Sequence, residues 1–153
     1  MAVESWIDEL CAVWEVSDGE RGTVRSYRVY SKAEFPAAIT VFPCAITYIE
    51  SVEATYSAGG PCINYWLGVT EFHLFPNTDK GNYPAIMLYY ARIIAAAAAR
   101  LTLGGLVSHF ILRSGGEPGI VGPVVLQYGG EDPHHGLVVN WRVKEIAPVT
   151  VSV

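Results

Sequence analysis

The residues best equipped for chemistry are four histidines, three cysteines and one acidic pair. The densest grouping is Glu131-Asp132-Pro133-His134-His135. Two imidazoles beside two carboxylates make a donor set for Zn²⁺ or Ni²⁺. Adjacent histidines in a strand point to opposite faces, so they share one ion only if a turn brings them round. The simpler expectation for this stretch is a solvated hairpin loop. His73 and His109 fall in two different predicted strands and approach each other only if those strands are neighbours. Ser108-His109, Cys44 and Cys62 offer nucleophiles, yet none lies in a Gly-x-Ser-x-Gly elbow. No carboxylate is spaced to orient a histidine. Cys11, Cys44 and Cys62 are odd in number and widely separated, without a Cys-x-x-Cys, and read as reduced, buried thiols. The pattern therefore supplies no catalytic, cofactor-binding or metal-binding set, and an enzyme is not expected.

The elements that would position these residues follow from periodicity. Val3 to Trp14 carries Val3, Trp6, Ile7, Leu10, Val13 and Trp14 at helical spacing. Glu4, Asp8 and Glu9 suit the positive end of that helix, and Ser17-Asp18-Gly19 stops it. Gly22 to Phe35 is mixed in sign and predicts a short strand or ordered loop. Phe35-Pro36 and Phe42-Pro43 bracket a connection. Cys44 to Ile49 predicts a strand, Ser51 to Pro61 a loop with a turn at Gly59-Gly60-Pro61, and Ile63 to Phe75 a long strand apolar on both faces. A helix over Tyr83 to Leu101 follows, with Asp79 or Asn82 to cap it and Pro84 in its first turn. Its core stripe is Ile86, Tyr89, Tyr90, Ile93, Ile94 and Ala97, and Gly104-Gly105 ends it. Those glycines follow a helix, and Gly115-Gly116-Glu117-Pro118-Gly119 joins two strands, so neither is a phosphate cradle. Leu106 to Leu112, Ile120 to Tyr128 and Leu137 to Ile146 complete the chain as three strands whose short connections favour antiparallel neighbours. The tail, Ala147 to Val153, is lightly β-prone. The fold class expected is α+β in a single domain over residues 1–153: a mixed, mainly antiparallel sheet with an N-terminal helix and one long central helix packed on one face.

Composition narrows the function. Hydrophobic residues make up 51% of the 153 and charged residues 16%, against a usual charged share of about 25%. Such a surplus of apolar side chains reads as covered interface. Ala85 to Ala99 is interrupted by Arg92 and falls short of the roughly 20 residues of a membrane span. Met1 to Trp6 shows no basic stretch ahead of an apolar one, so no secretory signal is expected. The net charge of −5 argues against a nucleic-acid grip. The arginine-aromatic run Arg21 to Tyr30 is better read as an arm reaching a neighbouring subunit than as a single-strand platform.

In order and composition the chain resembles tail terminator proteins of long-tailed bacteriophages, also called tail completion or minor tail proteins. The resemblance covers most of the chain. It rests on the helix with Trp6 and Trp14, the Phe35-Pro36 and Phe42-Pro43-Cys44-Ala45-Ile46 entry to the first main strand, and the strand through Trp66 to Phe75. The helix through Ile86 to Leu101 and the final pair with Gln127-Tyr128-Gly129 and Gly136-Leu137-Val138-Val139 complete it. The resemblance implies a hexameric ring at the head-proximal end of the tail. Such a ring stops tube polymerisation and meets a tail tube protein on one side and a neck or head-completion protein on the other. It carries over no catalytic residue, no cofactor and no membrane partner, and places the protein in the virion after synthesis in the bacterial host cytoplasm. DNA would pass through the bore without specific binding. Six copies carry about −30 in formal charge, which repels a passing polyanion; Glu117, Glu131 and Asp132 on predicted hairpin loops are the expected contributors. Another neck or head-completion connector uses the same features. A small metal-dependent enzyme built on His73, His109, His134 or His135 is the competing class.

Overall fold

The computed structural model describes residues 3–17, 22–28, 42–55, 62–76, 83–113, 118–126 and 133–147. The expected turns at Gly59-Gly60-Pro61 and Gly115-Gly116, the caps Asp79 and Asn82, the Phe35-Pro36 bracket, Glu117, Glu131, Asp132 and the tail beyond Ala147 lie outside the described residues.

The fold is mixed α and β, and the described residues form two helices and a six-stranded mixed sheet. Helix α1 spans Val3–Val13. Trp6, Ile7, Leu10, Val13 and Trp14 are buried, as the helical spacing predicts. The helix closes by tightening, with Trp14 N–H donating to Cys11 O at 3.2 Å. Ser17 then bridges Thr23, which feeds the chain into β1, Arg25–Arg28.

β1 runs parallel to β2, Cys44–Thr55, and every other pairing is antiparallel. β2 pairs β3, Cys62–Pro76, which pairs β6, His134–Ala147. The far side of β6 is shared. β4, His109–Leu112, pairs its residues 141–144, and β5, Ile120–Leu126, pairs its residues 134–139. The expectation that the 114–119 connection makes β4 and β5 mutual partners is therefore corrected, since β6 is the neighbour of both.

Helix α2 spans Tyr83–Ala98. The expectation of one long central helix reaching Leu101 is not met. Residues 99–106 are turns, with Leu103, Gly104 and Gly105 at positive φ. Leu103 is wholly buried, and Leu101 O accepts from Phe110 N–H at 2.6 Å. Burying Leu103 and returning the chain to the sheet outweigh the helix propensity of the alanine run. Two strands are longer than expected. β2 continues to Thr55 through residues assigned to a loop, because it stays in register with β3 after an irregularity between Ile49 and Ser51. β6 begins at His134 and not at Leu137. β4 is shorter than expected, beginning at His109.

Partners directly across a ladder share a face. One face carries Ala45, Thr47, Thr70, Phe72, Leu137, Val139, Trp141 and Val143, and meets the helices. Trp14 stands edge-on to Phe72 and Phe110, and Trp6 packs on Trp66 and Trp141. The buried hydroxyls on this face satisfy one another: Thr47 and Thr70 lie 2.8 Å apart, and Trp141 Nε1 donates to Thr70 Oγ1 at 3.2 Å. Ile86, Tyr89, Ile93 and Ala97 are the buried stripe of α2, whereas Ile94, expected within it, is exposed and Tyr90 is half-buried, so the covered side of the helix is narrower than expected. The second face carries Cys44, Tyr48, Glu71, His73 and His134 at one end, and Tyr65, Arg142, Lys144 and His109 at the other.

Candidate functional site

The chemically capable side chains gather on the second face. β3 contributes Glu71 and His73, two residues apart and hence on one face. β2 places Cys44 opposite His73, and β6 brings His134 alongside across a register shift between His73 and Phe75. His73 Nδ1 and His134 Nδ1 are 3.0 Å apart; one ring donates and the other accepts, so the two differ at that nitrogen. His73 Nε2 lies 3.3 Å from Glu71 Oε1, and the Tyr48 hydroxyl donates to Glu71 Oε2 at 3.3 Å. Phe42 stands edge-on to the His134 ring at 4.9 Å.

The electrostatics follow from burial. His73 is 0% exposed, and Tyr48, Glu71 and His134 are buried with it. Burial first, then Glu71 and Glu50, pushes the Tyr48 hydroxyl above its ordinary value. Burial pushes the Cys44 thiol up to about 12, so it carries no thiolate near neutral pH and is no nucleophile. Cys11, within the α1 core, is pushed up to about 11 by burial. A chain of close polar contacts, His134 to His73, His73 to Glu71 and Glu71 to Tyr48, fixes the ring orientations. Its described members present almost no surface to a substrate. It braces β2, β3 and β6 through charge-assisted contacts in a low-dielectric setting.

The other sequence candidates separate. His109 opens β4 and faces Lys144 of β6, while Lys144 faces Tyr65 of β3. β3 and β4 are not neighbours, so His73 and His109 do not meet. His134 and His135 open β6 instead of forming a solvated loop, and both are buried. Pairing with β3 and β5 on its two sides draws this end of β6 into the sheet. Among the described residues, no group of three or more His, Cys, Asp or Glu side chains is placed to hold a metal ion. Glu71 and Tyr48 were not anticipated. A carboxylate two residues before a histidine, within a strand read as covered on both sides, was the signal for them.

A second feature lies on the surface. Met87, Ala91, Ile94 and Ala98 recur at helical spacing along the outward side of α2, with Leu88 beside them and Leu101 just beyond. All are exposed, Met87 at 48%, Leu88 at 53% and Leu101 at 54%. Arg92 is the one charged residue within Tyr83–Ala98. Where α2 ends, Ile94, Ala97, Ala98 and Leu101 form a shallow apolar groove with Phe110, Ile111 and Leu112 of β4, about 180 Å³ in volume. No described helix is long and apolar enough to cross a membrane.

No protein-family model matches the chain, and no curated protein matches it.

Proposed function

We propose that this chain is a structural virion protein of the tail terminator kind, a subunit of a hexameric ring that caps a tail tube, stops its growth and joins it to the neck, with DNA passing through the bore. The observation that carries the reading is the outward stripe of α2, with Met87, Leu88, Ile94 and Leu101 exposed beside an apolar groove. A helix of a lone soluble domain places polar residues on that side. An apolar stripe continued by small alanines favours close approach of another molecule. The reading also draws on the low charged share of the whole chain and on the enclosure of the described histidine cluster, which leaves its imidazoles poorly placed for turnover.

A closed ring needs a heterologous contact, one patch of each subunit meeting a different patch of the next. The α2 stripe is one such patch. The far ends of β2 and β6, with Val52 and Ile146 exposed, offer another. The test is the mass in solution together with position in the particle. Six copies of a 16.7 kDa chain give about 100 kDa, and labelled protein is expected at the junction of tail and head. A monomer that holds stoichiometric metal and turns over a small molecule refutes the proposal.

A further inference from the structure

At one end of the second face, Arg142 and Lys144 stand together without an ion-pair partner among the described residues. Arg142 and Lys144 are two residues apart on β6 and point the same way. Lys144 faces His109 on one side and Tyr65 on the other. The Arg142 guanidinium and the Lys144 ammonium sit 5.5 Å and 6.0 Å from the Tyr65 ring, which holds both stems against the sheet. All four residues are half-buried. Among the described residues no carboxylate pairs with Arg142 or Lys144. Arg142 Nε and His109 Nδ1 are enclosed and lack a hydrogen-bond partner there. Partial burial, then the charges of Arg142 and Lys144, lowers the His109 pKa. Like charges held together at a half-buried site cost free energy unless an anion joins them.

We propose that this cluster is a docking point for carboxylates of a second copy of the chain. The inference rests on the assembly reading above and names one contact within it. Charge complementarity selects the occupant. Each copy carries 15 acidic against 10 basic residues. Among the described acids, Asp8, Glu9 and Glu50 pair with Arg28, Arg100 and Arg113, whereas the exposed Glu15 and Glu53 have no ion pair there. Tyr65 lies between Glu53 and Lys144 on the same face, and keeps them from closing on each other within one subunit. A nucleic-acid backbone is the less suited anion. It needs a field of cations to release its counterions, and here it would meet two cations, a neighbouring Glu53 and a chain of net charge −5.

The test follows wild type, Lys144→Gln and the double variant Arg142→Gln/Lys144→Gln by sedimentation velocity across a protein-concentration series and a NaCl series, with circular dichroism to check folding. Wild-type assembly is expected to loosen as salt rises. The double variant, folded, is expected to associate at least about tenfold more weakly, with the single variant between. The salt series on wild type tests the contact even if the double variant fails to fold. Folded variants that assemble like an assembling wild type sink this inference and leave the ring reading standing. A wild type that stays at 16.7 kDa in solution and is missing from purified particles sinks both. A fluorescent single-stranded oligonucleotide that binds wild type at physiological salt, and loses binding in the double variant, overturns the choice of occupant.

Discussion

Replacing Met87, Leu88 and Leu101 together by serine separates assembly from folding. Each of the three is about half exposed, so the fold already covers the other half. Full burial of such a side chain stabilises by about 1.5–3 kcal/mol, which leaves about 1 kcal/mol each to be gained when a partner covers the rest. Three residues together give about 3 kcal/mol, or a loss of about 100-fold in association constant. The ordering costs of association are common to wild type and variant and cancel in the difference. Fold stability is expected to change far less, within about 0.5 kcal/mol per site, because the buried stripe of Ile86, Tyr89, Ile93 and Ala97 is untouched. Sedimentation velocity over a concentration series reads the first quantity and urea unfolding the second. A triple variant that assembles at the wild-type concentration, or a wild type that never self-associates, refutes the argument that the outward side of α2 is an interface.

Other outcomes follow from the interior. Gly68→Ala drives a methyl into the Trp141 ring, and the overpacking is expected to cost about 1–3 kcal/mol in urea unfolding. Tyr48→Phe removes a donor from the buried Glu71 carboxylate, which predicts a loss of about 1–3 kcal/mol in the same assay. A thiol reagent at pH 8 is expected to label Cys62 first in the folded protein, with Cys11 and Cys44 reacting only after denaturation, since both are buried and pushed up to about 11 and about 12. The His109 pKa is lowered in the fold, so the unfolded chain takes up the proton first as the pH falls. The stability linked to neutral His109 is full above its unfolded value of about 6.5 and is lost as the pH drops from there through its folded value. His109→Gln is expected to flatten that part of a stability–pH curve.

Much of the architecture was legible because its signals are local. The α1 face from Trp6 to Trp14 is a single run of helical spacing, and the α2 stripe is another, of which Ile86, Tyr89, Ile93 and Ala97 are buried while Tyr90 and Ile94 are not. Cys44 to Ile49 and Ile63 to Phe75 announce strands by side-chain type. What could not be read depends on pairing across the sheet. Ser51 to Thr55 reads as a loop because it leads into the glycine-proline turn signals, yet its backbone pairs with β3. His134 and His135 sit after a turn-rich run, yet two neighbouring strands take up their backbone. The end of α2 was misplaced because the alanine run has high helix propensity and nothing local reveals that Leu103 must be buried. The contact between His73 and His134 spans 61 residues, and no periodicity carries that distance. The alanine run of α2 suggests a side fit for close packing against a neighbour, but the exposure of Met87, Leu88 and Ile94 could not be read, since a helical pattern does not say how wide its covered face is.

The borders of the sheet are blunted. On one side β1 has four residues and carries Arg25 and Arg28. On the other, β4 is equally short, and in β5 the register jumps between Val121 and Val124 across Gly122 and Pro123, where proline brings no amide hydrogen. Such margins make poor templates for another chain to extend strand by strand. A molecule rich in apolar and β-branched residues is thereby discouraged from zipping into open-ended fibrils, and any lasting contact with its own kind is steered toward faces and helix sides, where growth can close on itself.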